Sequence, residues 1–140
     1  MNFPQKLVLA SSSPRRQELL TKMGLTFEVR LKEVDEIYPP HLKRAAIAEY
    51  LAQKKAEAYL PGLNPAEVLI TADTIVCLDD TVLNKPASAP EARAMLSALS
   101  GRAHKVFTGV CLLSSTKKIV LHDVTRVYFK ELSSAEINWY

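Results

Sequence analysis

Between Leu7 and Leu20 the chain reads LVLASSSPRRQELL: an apolar run breaks into three serines, a proline and two arginines, and a helical pattern follows. Helix N-terminal amides, the hydroxyls of Ser11, Ser12 and Ser13, and the guanidinium groups of Arg15 and Arg16 then meet at one point. Such a point binds phosphate, because free N–H groups and the helix dipole favour an anion and arginine adds a bidentate charged clamp. Two arginines at a helix start oppose the macrodipole, a cost that a bound anion offsets. The same turn also reads as a solvated helix start with both arginines on the surface.

A second candidate is Thr71-Ala72-Asp73-Thr74, set inside an apolar run. A carboxylate between Ile70 and Ile75 is expensive to bury without a partner. Asp73 therefore reads as a ligand for Mg²⁺ or as a general base on water, with the Thr74 hydroxyl beside the same ligand. The alternative is a bulge or strand-end aspartate bonded to backbone amides. Lys85 precedes Pro86 after the next turn and reads either as a point charge for phosphate or as a surface lysine. Lys54 and Lys55 fall on a helix, where solvation is the ordinary reading. Glu36, in the acidic patch Glu33-Val34-Asp35-Glu36, is a metal ligand or a solvated loop charge.

The elements that must hold these residues follow from periodicity. Lys6–Ala10 reads as a buried strand. Ser13 caps the next helix, Pro14 takes its first position and Gly24 ends it. Thr26–Leu31 reads as a strand, and Leu42, Ala46, Ile47, Tyr50, Leu51, Ala58 and Tyr59 mark a long amphipathic helix stopped by Pro61-Gly62. Val68–Leu78 is a central strand with Leu69, Ile70, Ile75, Val76 and Leu78 as core residues, and a short strand Thr81–Leu83 follows. Ser88 with Glu91, and Ser133 with Glu136, form capping boxes for two further helices, the first ended by Gly101. His104–Leu113 and Ile119–Lys130 read as a hairpin. This order predicts an α/β or α+β domain with a mixed sheet and flanking helices. The last helix has room for about two turns, too little to stand alone, so the chain reads as ending inside a longer pattern.

Composition narrows the function classes. Apolar residues make up 48% and charged residues 24% of the 140, which excludes disorder. No apolar run reaches the roughly 20 residues a membrane span requires, and the N-terminus lacks a signal-peptide pattern; the reading is a cytoplasmic protein. A net charge of +3 without a basic stripe argues against nucleic acid. Cys77 and Cys111 read as buried reduced thiols, and His41, His104 and His122 lack metal-ligand spacing.

Taken together, LASSSPRRQELL, VDE at Val34–Glu36, QKKA at Gln53–Ala56, ADT at Ala72–Thr74, NKP at Asn84–Pro86 and LSGRAH at Leu99–His104 resemble the Maf family in order and approximate spacing. The resemblance covers nearly the whole of residues 1–140 as one domain and implies the inosine triphosphate pyrophosphatase architecture, a mixed twisted sheet with flanking helices and a central cleft. It implies a nucleoside triphosphate pyrophosphatase that splits a nucleotide into its monophosphate and pyrophosphate. By matching motifs, Arg15, Arg16, Lys55 and Lys85 would hold the triphosphate, Ser11 and Ser13 would line its cradle, Asp73 would accept the proton of water, and Glu36 with Asp73 would bind Mg²⁺ or Mn²⁺. SPRR and ADT resemble the members that act on dTTP and UTP rather than on 7-methyl-GTP, making Arg15 and Thr74 specificity positions. The family continues into a motif resembling DKAGAYGIQG and a glycine-rich strand region, which this chain lacks. The other function class the resemblance leaves is a nucleotide-binding regulatory module linked to septum inhibition or cell division, without turnover. A homodimer is the expected assembly.

Overall fold

A computed structural model describes residues 5–83 and 86–139. Its centre is β3 (Glu67–Leu78), twelve residues whose alternate side chains are buried, as a strand with one fully covered face requires. On one side β3 pairs in parallel with β1 (Lys6–Leu9), which pairs in parallel with β2 (Phe27–Val29). On the other it pairs antiparallel with β5 (Ala103–Leu113), which forms a hairpin with β6 (Lys118–Tyr128). The order is β2-β1-β3-β5-β6, with the short β4 (Thr81–Leu83) added antiparallel to the end of β3. The expected mixed sheet is present.

Local sequence accounts for the helices. α1 (Pro14–Lys22) starts at Ser13, which is extended and whose hydroxyl accepts the Arg16 amide, and Gly24 leaves it at φ 78°. α3 (Ala89–Leu99) is capped by Ser88, and Gly101 follows at φ 66°. Before α4 (Ser134–Trp139) the reciprocal bonds of a capping box form: Glu136 N–H to Ser133 Oγ, and Ser133 N–H to Glu136 Oε1. Before α3 the return bond goes instead from Ala87 N–H to Glu91, one residue upstream.

The long helix α2 (Ala45–Glu57) covers one face of the sheet. Its buried side is Ile47, Ala48, Leu51, Ala52 and Ala56. These pack on Val8, Leu69, Ile75, Phe107, Cys111 and Leu113 in two adjoining clusters. Each large side chain so buried is worth about 1.5–3 kcal/mol. Both cysteines lie in this core as free thiols, and burial pushes both thiols up from their ordinary range. Ile70 and Val76, read from sequence as core, are only half-buried because they face the opposite side of β3 from α2.

Candidate active site

β1 and β3 run side by side in parallel, and both deliver functional residues at or beyond their paired stretch. β1 ends in a bond from the Ala10 amide to the Ile70 carbonyl (3.0 Å), and the chain then turns through Ser11–Ser13. The buried Ser11 hydroxyl accepts the Ser13 amide at 3.2 Å and the Arg16 Nη1 at 3.3 Å. Arg16 also donates to the Ala72 carbonyl at 3.4 Å and to Thr74 Oγ1 at 3.1 Å. Its guanidinium is thus pinned across the serine turn and β3 by three neutral acceptors, and no carboxylate among the described residues pairs with it. This positioned, uncompensated cation replaces the reading of Arg16 as a solvated surface residue.

Asp73 stands in the middle of the β3–β5 ladder, opposite Gly109, on the face that α2 covers. It is neither a bulge nor a strand-end residue. The partner that makes its burial affordable is Lys55, whose Nζ lies 2.8 Å from Asp73 Oδ1 and 3.3 Å from Glu36 Oε1. The side chains of Lys55 and Asp73 are 23% and 12% exposed, so water screens this contact only in part. Burial pulls the Lys55 ammonium down, but the bond to Asp73 and the fields of Asp73 and Glu36 outweigh it and leave the group raised.

The approach of α2 to the sheet creates this contact, and it rests on residues that the sequence reading did not single out. Ala48, Ala52 and Ala56 place small side chains at every fourth position, and Gly109 of β5 meets the backbone at the first of them. A Cβ on Gly109 would lie 2.3 Å from the Ala48 carbonyl oxygen, so only glycine permits this approach. The buried Thr71 hydroxyl adds a bond to the Ala52 carbonyl at 2.7 Å. Alanines four apart and a glycine in mid-strand were the available signals.

Ser11, Ser12, Ser13, Arg16, Glu36 and Lys55 line one cleft of about 800 Å³. A smaller cavity of about 330 Å³ shares Arg16 and Glu36 with it and adds Asp73, Thr74 and Tyr38. Arg15 lines neither; it borders a neighbouring groove with Thr74 and Thr108. Lys85 lies outside the described residues. Lys54, which sequence left as solvated, pairs with Asp35 and donates to the Ile37 carbonyl at 2.9 Å, holding down the acidic segment that carries Glu36.

Among the described residues no three His, Cys, Asp or Glu side chains gather to hold a metal. Glu36 and Asp73 are nevertheless bridged by one ammonium group, which marks a position where a cation is stabilised. One or two carboxylates completed by phosphate oxygens and water is the ordinary donor set of Mg²⁺, so these residues fit such an ion in the presence of a polyphosphate.

The family model for Maf-like proteins matches residues 6–140. The chain belongs to this family. Among curated relatives of this Maf-like chain, the dTTP/UTP pyrophosphatase of Flavobacterium johnsoniae is 46% identical over 135 residues, covering 96% of this chain and 70% of the relative. That of Phocaeicola vulgatus is 48% identical over 136 residues with the same coverages, and that of Symbiobacterium thermophilum is 47% identical over 97% of this chain and 70% of its own. The Maf-like fold is similar to the Staphylococcus aureus Ham1 protein, with a TM-score of 0.62 at 14% identity over 87% of this chain and 70% of that one. A Mycobacterium abscessus nucleoside-triphosphatase, also titled dITP/XTP pyrophosphatase, gives a TM-score of 0.52 at 15% identity over 87% and 73%. These two likenesses establish the architecture expected from the motifs.

Proposed function

We propose that this Maf-like chain hydrolyses a nucleoside triphosphate of the dTTP or UTP type to the monophosphate and pyrophosphate. The observation that carries the reading is the Lys55–Asp73 contact at 2.8 Å, set beside a serine turn whose Arg16 has no carboxylate partner among the described residues. Arg16, Ser11 and Ser13 hold the polyphosphate in the cleft. Lys55 changes partner, passing from Asp73 to a phosphate oxygen, and this frees the Asp73 carboxylate to take a proton from water. The water oxygen forms its bond to the α-phosphorus, the α–β bridging bond breaks and pyrophosphate leaves with that electron pair. Positioned cations around the spreading charge, with a base for the nucleophile, supply what phosphoryl transfer requires. Glu36 and Asp73 would hold Mg²⁺ or Mn²⁺, which when bound neutralises polyphosphate charge.

Lys85 joins this set as a further phosphate contact, and Arg15 and Thr74, which border one groove, act as specificity positions. The names of the 41–48% identical relatives support the pyrimidine preference. No helix among the described residues is long and apolar enough to cross a membrane, and the proposed setting is the cytoplasm, with a homodimer as the proposed assembly.

The test is pyrophosphate release from dTTP, UTP, CTP and 7-methyl-GTP with Mg²⁺ or Mn²⁺, by the wild type and Asp73→Asn. Release from dTTP or UTP that disappears in the variant, while nucleotide still binds, supports the reading. Binding without release by the wild type would instead make the chain a nucleotide-binding regulatory module.

A further inference from the structure

At the other end of α2 and β3 from the serine turn, the chain gathers positive charge around a second cavity of about 290 Å³. Lys105 and Arg126 stand directly opposite each other in the β5–β6 register, and Cys77 stands opposite Lys105 on β3, so the three share one face of the sheet. Like charges directly opposite across a ladder are destabilising. Neither Lys105 nor Arg126 has an ion-pair partner among the described residues. Arg44, the residue before α2, brings a third cation to the same cavity.

The acids at hand are already committed. Asp80 pairs with Arg44 at 2.8 Å, and Asp79 pairs with Arg102 at 2.8 Å. The lining itself therefore holds three cations, Arg44, Lys105 and Arg126, against the single carboxylate of Asp79, an excess of two positive charges in a small concave space. The backbone carries a further mark. Arg44 at φ 53° and Asp79 at φ 55° are the two non-glycine residues with positive φ among those described, and both line this cavity. Asp79 belongs to the two-residue turn between β3 and β4, where aspartate tolerates this conformation, whereas Arg44 is held outside the region an arginine ordinarily takes, and such strain gathers at ligand clamps. Cys77 lies four strand residues beyond Asp73, which puts the cavity about 13 Å from the proposed reaction centre.

We propose that this cavity is a second anion site that takes a phosphate group, held by the Arg126 and Arg44 guanidinium forks and the Lys105 ammonium. A forked donor matches phosphate oxygens two at a time, and the bound anion relieves the repulsion between Lys105 and Arg126. The two sources of such a group are inorganic pyrophosphate and a nucleoside monophosphate. The anion site stands on its own geometry, and the choice of these two sources rests on the reaction proposed for the cleft.

Backbone amide spectra of the isotopically labelled chain, in buffer free of phosphate and sulfate, are titrated separately with pyrophosphate and with dTMP. The expected result is saturable shifts around Lys105 and Arg126 in at least one arm, and that arm names the source. Arg126→Gln should weaken these shifts roughly tenfold, the loss of one charge-assisted contact, while shifts at Ser11–Arg16 keep their midpoint. Without anion, Lys105→Gln should raise the Tm, because the opposed cation is gone, and pyrophosphate or dTMP should then stabilise it less than the wild type. Shifts confined to the serine turn in both arms, or a midpoint at Lys105 that Arg126→Gln leaves unchanged, would overturn the proposal.

Discussion

Arg15 and Arg16 are neighbours with the same side chain, yet their surroundings differ. Arg16 is held by Ser11, the Ala72 carbonyl and Thr74 and lines both adjoining cavities, whereas Arg15 borders only the groove beside them. Arg16→Ala should therefore weaken nucleotide binding by about 1.5–3 kcal/mol, the worth of a charged hydrogen bond, and Arg15→Ala by less. Calorimetric titration with a non-hydrolysable dTTP analogue checks the order; equal losses would place the phosphates in the groove as well. For Lys55→Met the loss is one of stability. The variant leaves the Asp73 carboxylate buried without its cation, and about 2 kcal/mol should disappear at pH 7. Urea unfolding of the wild type and the variant at pH 7 measures the deficit, and equal midpoints would mean that the Lys55–Asp73 contact carries no stability. Residue type and motif order made Asp73, Arg16 and Glu36 legible in the sequence. That Lys55 bridges the two carboxylates was not, because lysines on an amphipathic helix read as solvated until the helix has a place.

What places that helix belongs to the scale of elements. α2 lies on β5 closely enough that Gly109 has no room for a methyl group, and this approach sets the height of Lys55 over Asp73. Gly109→Ala should force α2 outward and cost roughly 3 kcal/mol, the upper end for overpacking, because a backbone carbonyl rather than a flexible side chain stands in the way. Urea midpoints measure the cost, and kcat should fall with it as Lys55 and Asp73 separate. An unchanged midpoint would mean that the helix slides freely over the sheet. Element existence was readable throughout: caps at Ser13, Ser88 and Ser133, stops at Gly24 and Gly101, and the hairpin all fall where propensity puts them. Strand order was not readable. Nothing local in Lys6–Leu9 says that it inserts between β2 and β3 in parallel, since that follows from non-local pairing and from the long crossover that α2 provides. The alanine spacing of α2 and the mid-strand Gly109 are both visible in the sequence, but that the two meet is set by strand order.

At the scale of the whole molecule, the parallel half of the sheet is closed by an ion network that the sequence reading did not mark. Arg30, just after β2, reaches over β1 to the buried carboxylate of Glu67 at the start of β3, with Nη1 2.9 Å from Oε1 and a second bond from Nη2. The Asn64 amide donates to the same carboxylate at 2.9 Å, and Arg30 also pairs with Glu28 at 2.7 Å. The Arg30 bond first, and the Asn64 amide second, hold Glu67 down at about 2 against an ordinary 4.5, with burial opposing them. A carboxyl depressed on folding binds fewer protons in the native state, so its contribution to stability is complete above pH 4.5 and is lost as the pH falls towards 2. Because the clamp spans three strands that carry the serine turn and Asp73, its loss should loosen the sheet and the cleft together. Urea unfolding between pH 2 and pH 6 should show stability falling across that window, and Glu67→Gln should flatten the fall while lowering the plateau above it. A variant with the same acid profile as the wild type would move the acid sensitivity to another carboxylate and leave Arg30 and Glu67 as a contact without thermodynamic weight.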